Sequence, residues 1–209
     1  MTAATVEASL RAAAAPFAGD AARTPPAADD PASPSVELRW GPLFAALDGA
    51  GDETFVEAIE LIWEGYLVHY RSGRLAPIAP GDRQTALLAG DVFYARGLRL
   101  VAARGDVASV ELLTRLMSAC SCLRALGATF EDDDALWAYT VAALAAVRAG
   151  TPRHVAGAFF DDIDAEFAAG APADVPARAA AAAAALGLPD PAPLDAAFAP
   201  ILSPSGTVR

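Results

Sequence analysis

The residues best able to do chemistry in this chain are few. Asp91 lies in a helical pattern with Leu87, Tyr94, Leu98 and Val101, a phase that sets its carboxylate among apolar side chains, where it needs a hydrogen-bonding or ionic partner. It reads either as a brace for a neighbouring helix or as part of a site. Metal and phosphate sites gather several acids together, which favours the brace. Asp162 and Glu166 stand one helical turn apart inside an acidic run at 161–166 and form a candidate Mg²⁺ site. In so acidic a chain the same run also reads as a solvated helix face. Arg71, Arg74 and Arg83, with His69 just before them, form a local basic cluster, and guanidinium groups grip phosphate oxygens in pairs. The competing reading is a set of surface arginines paired with nearby acids. Cys120 and Cys122 lie two apart in a helical pattern, pointing to nearly opposite sides, and are expected to be reduced core thiols. With His69 and His154 the only histidines, these cysteines lack the company a metal centre needs.

These residues must be positioned by helices. Asp52 is placed to cap a helix carrying Phe55, Ile59, Ile62, Tyr66 and Tyr70. Asp82 caps a second, which Arg104 and Gly105 close. Asp106 opens a third, with Val110, Leu113, Met117 and Cys120 on one stripe and Gly127 as its terminator. Thr129 caps a fourth, with Glu131 to Asp134 in its positively polarised first turn and Trp137, Val141 and Leu144 facing inward. Thr151 and Pro152 serve as N-cap and first-turn proline for a fifth, with Val155, Phe159, Ile163 and Phe167 along it. Residues 177–186 make an alanine-rich sixth, and Leu194, Phe198 and Ile201 a final turn or two. A short helix is also possible over residues 2–15. No segment alternates with the period of a strand, so the fold class is all-α.

The chain of 209 residues is 55% hydrophobic, but alanine supplies much of that and buries little area, so the core rests on sparser large side chains. All 15 basic residues are arginine, which fits codon bias in a GC-rich bacterial genome and carries no functional weight. A formal net charge of −11 repels a phosphate backbone, which excludes nucleic acid as an expected partner. No run of about 18 apolar residues is present, so no transmembrane segment is expected, and the N-terminus lacks the pattern of an export signal, giving a cytoplasmic expectation. The organisation expected is a flexible Ala/Pro-rich leader over 1–35, one helical domain over 36–202 and a tail over 203–209, with residues 16–35 lacking any apolar spacing to bury.

Three stretches resemble the isoprenoid (polyprenyl) diphosphate synthases. The run LLAGDVFYARGLRLVA, residues 87–102, is similar to the family's long core helix with a Gly-Asp pair at its middle, here Gly90 and Asp91. Residues 60–69, ELIWEGYLVH, resemble the helix ending in a histidine before the first aspartate-rich motif. Residues 139–144, YTVAAL, resemble a later helix from which the family's lysine is missing. The resemblance spans roughly residues 55–150.

It implies a shortened helical bundle of the isoprenoid-synthase type that lacks the catalytic carboxylates. Tyr70, Arg71, Ser72, Gly73 and Arg74 stand where the family has its first pair of aspartates, and arginine cannot ligate a cation. The resemblance therefore implies a non-catalytic accessory subunit without a cofactor. It also implies a homodimer, or a heterodimer with a full-length prenyl diphosphate synthase, through residues 86–126. Two alternatives stand beside it: a Mg²⁺-dependent prenyltransferase with a degenerate site from Asp91, Asp162 and Glu166, and a helical scaffold or lipid-binding module.

Overall fold

In the computed structural model, residues 3–17, 36–75 and 82–203 are described. Most of the expected leader, residues 18–35, and the segment 204–209 lie outside them. Among the described residues all regular structure is helical, as expected, and side-chain caps set where several helices begin. The Asp52 carboxylate accepts from Thr54 N at 3.2 Å, and α3 runs Glu53–Tyr70. Asp82 accepts from Thr85 N at 3.0 Å at the head of α4, Arg83–Ala102; the Thr85 hydroxyl and backbone N–H together hold this carboxyl below its ordinary range. Asp106 accepts from Ser109 N at 3.0 Å and Ser109 Oγ at 2.7 Å, opening α5, Val107–Leu126. Gly127 ends α5 at φ 70°, a left-handed conformation costly for a residue with a Cβ. At α6, Phe130–Arg148, the Asp132 carboxylate accepts from both the backbone N–H and the hydroxyl of Thr129 at 2.9 Å.

The remaining helices are α1, Ala3–Ala14, followed by a 3₁₀ turn at Ala15–Phe17; α2, Trp40–Asp48; α7, Arg153–Ala169; α8, Val175–Ala185; and α9, Ala192–Leu202. At α7 the sequence expectation shifts by one residue: the flanking residue is Pro152, and Thr151 makes no side-chain cap.

The chain divides into two compact units. One comprises Met1–Pro42 and Asp52–Gly105, the other Leu43–Gly51 and Asp106–Arg209. In the first, α3 is the central helix, with α4 and α1 packed on it. Every residue from Ala58 to Val68 is buried. Val6, Leu10, Ala13 and Ala14 of α1 join Leu61, Val68, Ala89 and Phe93 in one apolar cluster. Residues 3–17 therefore belong to the packed structure, which corrects the leader boundary at residue 35 for its N-terminal part: an alanine-rich helix with only two larger apolar residues on its stripe still finds a face to bury.

In the second unit α6 is central, contacted by α5, α7, α8 and α9. It is buried without interruption from Ala135 to Ala146. A helix that is apolar or small on all sides has no wet face to reveal its phase, and its alanines let neighbours approach from several directions.

The phase of α4 differs from the one read from its large residues. Its buried positions are Ala89, Gly90, Phe93, Gly97 and Val101, while Leu87 and Leu88 are 44% and 55% exposed. Small residues make the contact because α3 and α4 lie very close. A Cβ at Gly97 would stand 2.7 Å from the Ala58 carbonyl oxygen, and one at Gly65 would stand 2.9 Å from the Gly90 carbonyl oxygen. A Cβ at Gly90 would overlap the His69 ring. The Gly-Asp pair thus has a packing reason, in which glycine faces the partner helix and aspartate does not.

Candidate functional site

The densest polar constellation is at the C-terminal half of α3. Glu60 and Glu64 point from one side of that helix, one turn apart, and both are fully buried. Carboxylates at this spacing are suited to sharing a cation, and removed from water they demand compensation. Here the compensation is internal. Glu60 Oε1 accepts from the backbone N–H groups of Arg39, Trp40 and Gly41, each at 2.8 Å. Its Oε2 takes Arg74 Nη1 at 2.7 Å. Glu64 accepts from the backbone N–H groups of Arg74 at 2.7 Å and Leu75 at 3.1 Å, and pairs with Arg74 Nε at 2.8 Å. Arg74 also donates to the carbonyl oxygens of Glu37 at 2.7 Å and Glu60 at 3.3 Å. Two acids, one guanidinium and five backbone donors close the network, which ties residues 37–41 and 74–75 to α3.

The arrangement decides what the basic cluster can do. Arg74 is committed to the buried carboxylates and has little left with which to grip a diphosphate. Arg71 lies over the rings of Trp63 and Tyr66, at 5.6 and 5.4 Å from their centroids, and Arg39 lies over Trp40 and Trp63 at 4.6 and 5.2 Å. Guanidinium groups on aromatic faces are held by the ring quadrupole. The rings are themselves stacked, Trp63 on Tyr66 at 4.9 Å. His69 Nε2 lies 3.0 Å from the Leu87 carbonyl oxygen and 3.5 Å from Asp91 Oδ1, with its ring edge-on to Tyr94. Arg83, the first residue of α4, is exposed. Arg71, Arg74 and His69 thus sit near the end of α3 but face three different sets of partners.

Asp91 is exposed, its side chain 71% accessible. This corrects the expectation of a buried brace: with Gly90 and Phe93 turned toward α3, its carboxylate falls on the wet side and reaches only the edge of His69.

In α7, Asp162 is exposed and Glu166 pairs with Arg178 at 2.6 Å. One of the two candidate Mg²⁺ ligands is therefore already engaged by a cation. Among the described residues no group of three or more His, Cys, Asp and Glu side chains is arranged to hold a metal ion. The neighbouring acids Asp161 and Asp164 both pair with Arg115 at 2.8 Å. Their desolvated partner stays firmly protonated: burial pulls the Arg115 pKa down, but the two carboxylates raise it overall.

One acid of the 131–134 run is not on the solvated face. Asp133 is fully buried and pairs with Arg124 at 2.8 Å. It also lies against Cys120, whose thiol is pushed well above its ordinary value by burial and then by this carboxylate, leaving an unreactive core thiol. Tyr139 donates to the Ala156 carbonyl oxygen at 2.8 Å, and burial raises its pKa to about 12.

The buried Glu60 and Glu64 are the functional-looking residues that sequence reasoning passed over. Their signal was present, namely two glutamates four apart inside an otherwise apolar stretch of a single helix. No helix of the described residues is long and apolar enough to cross a membrane. Comparison with family models, with curated proteins and with solved structures finds no match for this chain.

Proposed function

We propose that this protein acts by binding another protein and not by catalysis, as a helical accessory subunit of the isoprenoid-synthase-like kind. The observation that carries the reading is the outer side of α4. Its inner side is already filled by α3 and α1, yet Leu87 and Leu88 remain 44% and 55% exposed, with Leu98 half-buried beyond them. Apolar side chains left over after a helix has packed mark a contact surface. The internal commitment of Arg74, Glu60 and Glu64 also supports it, because the groups nearest the resemblance to the synthase motif hold the protein's own backbone. The partner, a full-length prenyl diphosphate synthase or a second copy of this chain, rests on the resemblance over residues 55–150.

Leu87→Glu/Leu88→Glu tests the surface. The double variant is expected to keep its melting temperature and to lose association, read by light scattering alone and after mixing with a prenyl diphosphate synthase from the same genome. Mg²⁺-dependent condensation of allylic and isopentenyl diphosphates by the isolated chain would overturn the non-catalytic reading.

A further inference from the structure

An open hollow lies on the unit built on α6. There α7 and α8 form the two walls of a trough with Tyr139 of α6 in its lining. Two adjoining hollows of about 840 and 440 Å³ make it up, and Asp162 and Arg178 line both. On α7 the wall recurs at helical spacing from Val155 to Ala169, a length of about 21 Å at the rise of an α-helix.

The two ends differ in chemistry. One is apolar, with Val155 44% exposed, Phe159 and Tyr139 in its lining at 6% and 1% exposure, and the alanine-lined side of α8 opposite. The other carries Asp162, Glu166 and Asp174 against Arg178 alone, three carboxylates to one guanidinium, a net of −2. The Glu166–Arg178 pair at 2.6 Å leaves Asp162 and Asp174 as the charges facing an occupant.

We infer that this trough takes an amphipathic helix from a partner protein, with apolar anchors at i, i+3 or i+4 and i+7 and an arginine or lysine over Asp162 and Asp174. Small side chains on the α8 wall let a helix approach closely, and helix-in-groove docking uses this anchor spacing. The charge decides against an anionic lipid or a diphosphate, which the net −2 end would repel, and in favour of a basic peptide. The site is separate from the α4 surface and does not depend on the accessory-subunit reading.

The test uses the full chain and fluorescein-labelled helical peptides of about 14 residues, the length that matches the trough. They carry leucines at the anchor positions and a terminal pair of either arginines or glutamates at one end or the other. An arginine-ended peptide is expected to bind saturably by anisotropy with Kd below about 100 µM and to outcompete its glutamate counterpart. Ala182→Trp, which fills the apolar end, is expected to weaken it by about tenfold or more. Asp162→Asn/Asp174→Asn should remove the preference for arginine without changing the melting temperature. Should Ala182→Trp fail to fold, Ala185→Trp at an exposed wall position replaces it. The inference is overturned by non-saturable binding of every peptide, by equal affinity for arginine- and glutamate-ended helices, or by affinity unchanged when the trough is filled. It is also overturned if filling the trough abolishes self-association, which would make a second copy the occupant, or abolishes binding to phosphatidylglycerol vesicles.

Discussion

Arg74 is the residue on which the first unit's polar interior turns. Removing it leaves Glu60 and Glu64 buried with backbone donors alone, and breaking a buried ion pair from one side costs about 3–5 kcal/mol. Arg74→Ala is therefore expected to lower the unfolding free energy by about that amount in urea titration, while Asp91→Ala, exposed and free of strong pairing, should fall within about 0.5 kcal/mol of the parent. Gly90 and His69 form a second residue-level pair. Gly90→Ala forces the His69 ring out of its place, so its cost should shrink markedly in a His69→Ala background, a coupling that a double-mutant cycle reads directly. Tyr139 gives a pH prediction. Its folded pKa is raised to about 12 from the ordinary 10.0, so the unfolded chain releases the proton first as pH rises. The neutral, hydrogen-bonded phenol contributes stability that is complete below pH 10 and is lost between pH 10 and about 12. Cys120, shifted the same way, adds to the alkaline loss. Tyr139→Phe should flatten the fall in melting temperature over that interval.

At the scale of elements, much of the fold was legible because helix starts have local chemistry. Asp52, Asp82 and Asp106 were readable as caps from their place before an apolar period, and each accepts the expected backbone N–H. Gly127 was readable as a terminator for the same local reason. What was not legible was the phase of α4 and the centrality of α3 and α6. Reading α4 from Leu87, Tyr94 and Leu98 assumes that the largest residues face inward. Val101 is buried as read and the Tyr94 ring lies against Gly65, but the rest of the inward face is Ala89, Gly90, Phe93 and Gly97, since close helix approach selects for small side chains and not for hydrophobicity. The misplaced Asp91 followed from that one assumption. In α3 and α6 burial runs all the way round over residues 58–68 and 135–146, so the apolar period located each helix without marking a wet face, and the same fact hid Glu60 and Glu64 among apparently ordinary surface acids. Close packing around α6 makes a prediction of its own. Ala142 is fully buried, so Ala142→Leu, although more apolar, is expected to destabilise by about 1–3 kcal/mol through overpacking, measurable by thermal or urea unfolding.

For the whole molecule, two compact units and a net charge of −11 describe a protein whose arginines serve largely internal structure. Arg74, Arg104, Arg115, Arg124, Arg148 and Arg178 each pair with an acid of the same unit. Leu87 and Leu88 of α4, 44% and 55% exposed, are the side chains on which the proposed contact rests. A stable contact through it would bury at least about 1,000 Å² in total. The direct test is multi-angle light scattering of the parent and of Leu87→Glu/Leu88→Glu, each alone and mixed with a prenyl diphosphate synthase from the same genome. The parent should elute at twice the chain mass or as a complex with the synthase, and the variant as a monomer in both samples. A parent that is a clean monomer alone and in the mixture would contradict the account.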